Sequence, residues 1–144
     1  MTEPTIDDVR RILENTRTIA VLGAHWEPSR PACYVPQYLV DVGYRVLPVN
    51  PAGVGRSEFG HAFIGSLAEL AGAIDVVVVF RRSELVAGHT AEILAMSPLP
   101  VVVWLQLGIR DDVFAHTLRA AGIEVVQDRC MLADHRRLGL PPRT

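Results

Sequence analysis

The segment Thr18–Pro51 limits the folds open to this chain more than any other part of it. It opens with an unbroken apolar run, Thr18-Ile19-Ala20-Val21-Leu22-Gly23. A polar, proline-rich stretch follows, Ala24-His25-Trp26-Glu27-Pro28-Ser29-Arg30-Pro31, and a second apolar run closes on Val49-Asn50-Pro51. Apolar runs without polar alternation read as strands buried on both faces, and such strands belong to parallel sheets covered by helices. Parallel neighbours need a crossover, which a helix between the two runs supplies. That helix is expected to begin near Tyr34–Pro36, because proline is tolerated in a first turn, and to stop at Gly43.

The same alternation continues along the chain. Thr5 followed by Asp7 and Asp8 reads as a helix start, and Ile6, Val9, Ile12 and Leu13 share one face. Ile6–Thr16 is therefore expected to be a leading helix packed on the sheet. Strands are expected at Thr18–Gly23, Tyr44–Val49, Ile74–Phe80, Val101–Leu105 and Glu124–Gln127. The four consecutive valines inside Ile74–Phe80 mark a central strand. Further helices are expected at Leu67–Ala71, from Ser83 to about Met96, at Asp111–Ala121 and at Asp128–Leu138. Asn50–Gly65 is left as a long glycine-rich loop, of a length that is usually functional or mobile. Pro141–Thr144 reads as a frayed tail. The fold class is α/β: a single Rossmann-like, doubly wound domain with a five-stranded parallel sheet flanked by helices. Residues 1–17 carry the leading helix, 18–138 the domain and 139–144 the tail.

A chain of 144 residues is long enough to bury one core without staples. Its net charge of -2 gives no reason to expect nucleic acid or an anionic membrane as partner. No apolar run is long enough to span a bilayer and Met1–Arg10 lacks a signal-peptide layout, so the expected location is cytoplasmic. The two cysteines, Cys33 and Cys130, are too few for a disulfide framework and are expected as free thiols, and no metal site is expected.

Ligands of such sheets bind beyond the carboxyl ends of the strands, where the strand order switches. The loop after the first strand lacks the dinucleotide pattern G-x-G-x-x-G, since Gly23 has neither partner glycine. Arg30 and the helix-start amides near Cys33–Val35 suit a diphosphate. The alternative is a solvated Arg30 and prolines that only shape a turn. Of the five histidines, His25, in this loop, is kept as a contact candidate. The second strand ends in Val49-Asn50-Pro51, where an NAD-binding fold would place an acidic residue for the ribose hydroxyls. An Asp there would repel a ribose 3′-phosphate; Asn would not, and Arg56 could pair with that phosphate. The alternative is that Asn50-Pro51 merely starts a turn. Phe80-Arg81-Arg82-Ser83 places two arginines at a strand end, suited to an anion, with Phe80 either in the core or lining a channel. Gln106 is a neutral polar residue at a buried edge, able to bond an amide-rich ligand. Asp128-Arg129 reads either as part of the site or as a structural ion pair. No Ser/His/Asp order, flanking carboxylate pair or G-x-x-x-x-G-K-[ST] is present.

These segments together resemble the stand-alone CoA-binding proteins, whose domain also begins the succinyl-CoA synthetase α subunit and related acyl-CoA synthetases. The resemblance runs from about Thr18 to Leu138. It is carried by Ile19–Gly23, Pro28-Ser29-Arg30-Pro31, Tyr38-Leu39 with Gly43–Val46, and Pro48-Val49-Asn50-Pro51. Further along it is carried by Asp75 with Val79-Phe80-Arg81, Val103–Gln106 with Gly108-Ile109, and Asp128-Arg129-Cys130 with His135–Leu138. It implies coenzyme A, or an acyl-CoA, lying across the strand ends. The diphosphate would meet Ala24–Tyr34, the adenosine Val49-Asn50-Pro51, and the pantetheine arm Phe80-Arg81 towards Gln106. The cofactor-binding set is thus Gly23, Ala24, His25, Arg30, Cys33, Tyr34, Val49, Asn50, Pro51, Arg56, Phe80, Arg81 and Gln106. The chain departs from the commoner family pattern after Arg30-Pro31, where Ala32-Cys33 replaces a Ser-Tyr pair.

The expected function is binding of CoA or acyl-CoA without catalysis of its own. One alternative is an accessory subunit of an acyl-CoA synthetase-type or thiol-redox enzyme, in which Cys33 exchanges with the CoA thiol or is simply a small packed residue. Another is an NAD(P)-binding sensor, weakened by the lone Gly23 and by Asn50. A homo-oligomer or a synthetase-type partner subunit is compatible with the expected function.

Overall fold

The structure is a computed structural model that describes residues 3–143. Helix α1 (Ile6–Asn15) starts with a reciprocal cap: the Asp8 N–H donates to the Thr5 hydroxyl at 3.2 Å, and the Thr5 N–H to the Asp8 carboxylate at 2.8 Å. Its face of Val9, Ile12 and Leu13 is buried. Strands β1 (Thr18–Leu22), β2 (Arg45–Val49), β5 (Val76–Val79), β6 (Val102–Leu105) and β7 (Glu124–Val126) form one parallel sheet in the order β2-β1-β5-β6-β7. Below β1, the Asp75 carboxylate accepts the N–H groups of Arg17 and Thr18, both at 2.9 Å, and so fixes β1 beside β5 before their pairing begins.

Successive strand residues face opposite sides, as the pleat requires. Ile19, Val21, Val76, Val78 and Trp104 pack against α1, α2 (Pro31–Asp41) and α6 (Met131–Leu138). Ala20, Leu22, Val77, Val79, Val103 and Leu105 pack against Leu67, Val86, Ile93, Phe114 and Leu118. Those partners come from a 3-10 turn at Leu67–Glu69, α3 (Ser83–Val86), α4 (Thr90–Leu94) and α5 (Asp112–Ala120). No described helix is long and apolar enough to cross a membrane.

The structure differs from the sequence expectations at several points. Helix α2 begins at Pro31, not near Tyr34, because Pro31 itself fills the first helical position. Pro36 then lies inside the helix and has no N–H for the Ala32 carbonyl four residues back; that carbonyl accepts the His25 N–H instead, at 3.1 Å. The helix expected from Ser83 to Met96 is broken into α3, a 3-10 turn at Ala87–His89 and α4, with Gly88 in the turn. Asn50–Gly65 is structured. A 3-10 turn at Pro51–Gly53 leads into an antiparallel pair, β3 (Ser57–Glu58) with β4 (His61–Ala62), and Phe59 and Phe63 are buried in the core. Its end returns along β2, where the Ile64 N–H donates to the Pro48 carbonyl at 3.1 Å. Pro48 is tolerated because β2 is an edge strand. The tail is not frayed as far as Arg143. The Arg143 N–H bonds the Val42 carbonyl at 2.6 Å, and its guanidinium bonds the Glu14 carbonyl at 2.7 Å and lies over the Tyr44 ring. Thr144 lies outside the described residues.

Tyr44 is 4% exposed and its hydroxyl donates to the Leu13 carbonyl at 2.5 Å. Burial pushes its pKa up from 10.0 to about 12. Folding therefore favours the neutral phenol; this contribution is complete below pH 10 and is lost as pH rises towards about 12. Denaturant midpoints should fall across that window. Tyr44→Phe should cost about 1 kcal/mol at neutral pH through the lost hydrogen bond and should flatten the alkaline fall. An unchanged alkaline fall in the variant would assign the titration to another group.

Candidate functional site

After β2 the chain returns to the far side of β1, so the switch in strand order lies between β1 and β5. In such a sheet the crevice opens over the carboxyl ends of these two strands. Gly23 leaves β1 there with φ +81°. Its N–H donates to the Val49 carbonyl, and the Phe80 N–H to the Leu22 carbonyl, each at 2.9 Å. A Cβ on residue 23 would stand 2.3 Å from the Phe80 carbonyl oxygen and 3.2 Å from Arg81 Cδ. Glycine alone permits both this φ and this approach.

Two cavities flank the contact. The smaller, of about 390 Å³, is lined by Gly23, Val49, Asn50, Pro51 and Arg81, with His89 and Glu92 opposite. The larger, of about 600 Å³, is lined by Arg30, Tyr34, Phe80, Arg81, Gln106 and Cys130, among others. Arg81 lines both, and among the described residues it has no carboxylate partner.

Asn50 joins the two loops. Its Nδ2 donates to the Ala24 carbonyl at 2.9 Å and its Oδ1 accepts the Ala52 N–H at 3.0 Å, so it both starts a turn and walls the smaller cavity. Ala24 is buried behind that wall. Arg30 is the N-cap of α2 and pairs with Glu27 at 3.0 Å. Both side chains of the pair are more than half exposed, so it holds the guanidinium only weakly. The Cys33 and Tyr34 amides, expected to face a ligand, both donate to the Arg30 carbonyl at 2.9 Å, and Pro31 has no N–H. The Cys33 and Tyr34 amides are therefore already engaged and not available to an anion at this loop.

Besides Ala24, three candidates lie away from both cavities. The His25 ring stacks on Trp26 at 4.3 Å, and its Nδ1 accepts the Glu27 N–H at 3.0 Å. The Arg56 guanidinium sits 4.4 Å from the Trp26 ring centroid, a cation–π contact that keeps it on this loop rather than beside Asn50. Cys33 is buried inside α2, and burial, with the Glu58 carboxylate second, pushes its thiol pKa up.

Gln106 is 2% exposed; its Oε1 accepts the Met131 N–H at 3.2 Å, and its Nε2 has no partner among the described residues. A buried donor without a partner costs about 1–3 kcal/mol.

Sequence reasoning missed the parts of the site that lie across the sheet. Ser83 does not cap α3; its Oγ accepts the Arg110 N–H at 3.0 Å and so ties two strand-end loops together. Arg129 pairs with Asp134 at 2.7 and 2.9 Å, not with Asp128, whose carboxylate accepts the Gly108 N–H at 2.6 Å. Cys130 was hidden because a helix over Asp128–Leu138 was expected. The helix α6 starts at Met131, and Cys130 is left at its N-cap on the cavity wall. The segment Asp128-Arg129-Cys130 is nonetheless among those that carry the family resemblance.

Gly23→Ala should lower stability by at least ~2 kcal/mol, since the strained φ adds to the contact with the Phe80 carbonyl. Urea denaturation would measure it, and a loss below ~0.5 kcal/mol would show that β1 and β5 do not need this approach.

The model of a CoA binding domain family matches residues 17–136. The uncharacterized protein YneT of Bacillus subtilis is 33% identical over 135 residues, spanning 94% of this chain and 97% of its own length. Among solved structures, a Thermus thermophilus protein is 47% identical with a TM-score of 0.89, covering 94% of this chain and 99% of its own. A hypothetical protein from Pyrococcus horikoshii OT3 is 30% identical with a TM-score of 0.85, covering 97% and 99%. Sheet order, loop placement and these matches agree, and the chain belongs to the CoA-binding domain family.

Proposed function

We propose that the chain binds coenzyme A, or an acyl-CoA, across the carboxyl ends of β1, β2, β5 and β6, without catalysis of its own. The observation that carries this reading is the position of Arg81 between two cavities of unequal size. CoA has a nucleoside at one end, a diphosphate in the middle and a long amide-bearing arm at the other. The smaller cavity, with Val49 and Pro51 on its wall, suits the nucleoside. Arg81 suits the diphosphate through charge-assisted hydrogen bonds, and Arg30 can reach the same anion from the loop. The larger cavity suits the arm, with Tyr34, Phe80 and Ile109 as apolar walls and Gln106 Nε2 as a donor to an amide carbonyl. Asn50 places no charge against a ribose phosphate, and Glu92, the carboxylate of that cavity, is in close contact with His89. A cytoplasmic location accords with this reading. An accessory role beside a synthetase-type subunit, or a homo-oligomer, would use the same site.

Calorimetric titration with CoA, acetyl-CoA, NAD and NADP tests the reading. CoA or acetyl-CoA should bind tighter than either dinucleotide. Arg81→Ala should weaken CoA binding about tenfold or more, the loss expected for one charge-assisted hydrogen bond. Tighter binding of NAD or NADP would overturn the reading in favour of a dinucleotide sensor.

A further inference from the structure

We propose that Cys130 is a thiol-exchange site at the wall of the larger cavity, where the disulfide of CoA is opened and one CoA is held as a mixed disulfide. The proposal rests on the CoA-binding reading. It moves the reactive thiol from Cys33, which is 5% exposed and lines neither cavity, to a cysteine that does line one.

The loop that presents Cys130 is fixed from several directions. Asp128 holds φ +55°, a left-handed conformation uncommon outside glycine and best tolerated by Asn and Asp. Its N–H donates to the Ile109 carbonyl at 3.1 Å and its carboxylate accepts the Gly108 N–H at 2.6 Å. Trp104 Nε1 donates to the Arg129 carbonyl at 2.9 Å, and the Arg129 guanidinium grips Asp134 through two bonds. The Met131 N–H donates to Gln106 Oε1. The residues on both sides of Cys130 are thus held, while its thiol forms no disulfide among the described residues and its side chain, half-buried against the core, lines the cavity.

The second, independent mark is Gln106. Its Nε2 is buried and has no partner among the described residues, and Gln106 lines the same cavity. Gln106 is hydrogen-bonded to the residue that follows Cys130. A ligand amide carbonyl that accepts a hydrogen bond from Nε2 would therefore leave a sulfur-bearing arm beside Cys130. A sealed apolar pocket needs no such donor, and a surface cysteine has no such neighbour.

The chemistry is a thiol–disulfide exchange. The Cys130 thiolate attacks one sulfur of CoA disulfide. A bond forms between Cys130 Sγ and that sulfur, and the original S–S bond breaks. The second CoA leaves as a thiolate and takes up the proton that Cys130 gave up. Cys130 is oxidised and the departing CoA is reduced, so CoA disulfide is itself the oxidant.

The full chain, reduced and freed of reductant, is incubated with CoA disulfide and followed by intact-protein mass spectrometry. One CoA adduct per chain should form and be released by dithiothreitol. Peptide mapping of the wild-type adduct should place it on Cys130, without reliance on any variant. Glutathione disulfide at the same concentration should react at least ~tenfold more slowly, a difference of about 1.4 kcal/mol in barrier supplied by binding of the nucleotide part. Cys33→Ser should keep the adduct and Cys130→Ser should lose it. An adduct on Cys33, no adduct, or equal rates with the two disulfides would overturn the proposal. Calorimetry of the reduced protein with CoA separates the two readings. CoA binding without adduct formation leaves the binding function and removes the exchange. Absence of CoA binding together with equal disulfide rates removes both.

Discussion

The close approach of β1 to β5 at Gly23 sets the geometry of everything above the sheet. Residue 23 can have no Cβ, because the Phe80 carbonyl oxygen occupies that place. The missing side chain lets the two strand ends close, and Arg81 emerges directly against Gly23, with its Cδ 3.2 Å from where a Cβ would stand. An arginine with a side chain between it and the first loop could face one cavity but not two. In the dinucleotide fingerprint three glycines divide the work of a tight turn, ligand approach and helix–strand packing. Here a single glycine serves the packing of two strand ends, and charge at the junction comes from the neighbouring strand. The lone Gly23 is thus consistent with an anion site of a different construction rather than a weakened copy of the dinucleotide one.

The loop after Gly23 takes its shape from prolines. Pro31 starts α2, and Pro36 withholds the N–H that would have closed the helix onto Ala32. The freed carbonyl holds His25, and His25 in turn stacks on Trp26. Trp26 meets the Phe63 ring edge-on at 5.9 Å and carries Arg56 on its face. The loops after β1 and β2 are therefore one packed unit, in which burial of the Phe63 ring contributes roughly 1.5–3 kcal/mol. Phe59 and Phe63, buried in the core, explain why a glycine-rich stretch of this length is ordered.

The parallel sheet was legible because its strands are apolar on both faces, a signal that depends on nothing distant. The leading helix was legible down to its cap, since Thr5 and Asp8 lie within one turn of each other. What failed was of two kinds. Where two residues qualified for one rule, the wrong one was chosen: Pro36 was given the first-turn position that Pro31 holds, and the helix after Ser83 was carried through Gly88. Where contact partners are far apart in the chain, no local signal exists. Arg56 reaches Trp26 across thirty positions, and Arg143 docks on Val42, Glu14 and Tyr44. Of the proposed contact residues, nine come to the cavity walls: Gly23, Arg30, Tyr34, Val49, Asn50, Pro51, Phe80, Arg81 and Gln106. They do so because they follow strand ends, or open the helix after one, and strand ends are readable. His25, Cys33 and Arg56 belong to the packing behind those walls, and Ala24 supplies a backbone carbonyl there.

Two glutamines at similar depth in this fold differ in how fully their polar ends are satisfied. Gln106 and Gln127 each follow a strand of the same sheet, and both are buried, at 2% and 5% exposure. Gln127 is satisfied at both ends: its Oε1 accepts the Asp111 N–H at 2.8 Å, and its Nε2 donates to Asp112 at 3.1 Å and Glu3 at 3.3 Å. It closes a corner of the molecule and needs nothing further. Gln106 has the same side chain at a similar depth, but only its oxygen is used, and its nitrogen belongs to a residue on a cavity wall. The free protein carries the cost of that idle donor, about 1–3 kcal/mol. Leucine or methionine at position 106 would fill the space without it. Gln106 is thus held by one end only, and in the proposed reading the acceptor for its other end is an amide carbonyl of the ligand.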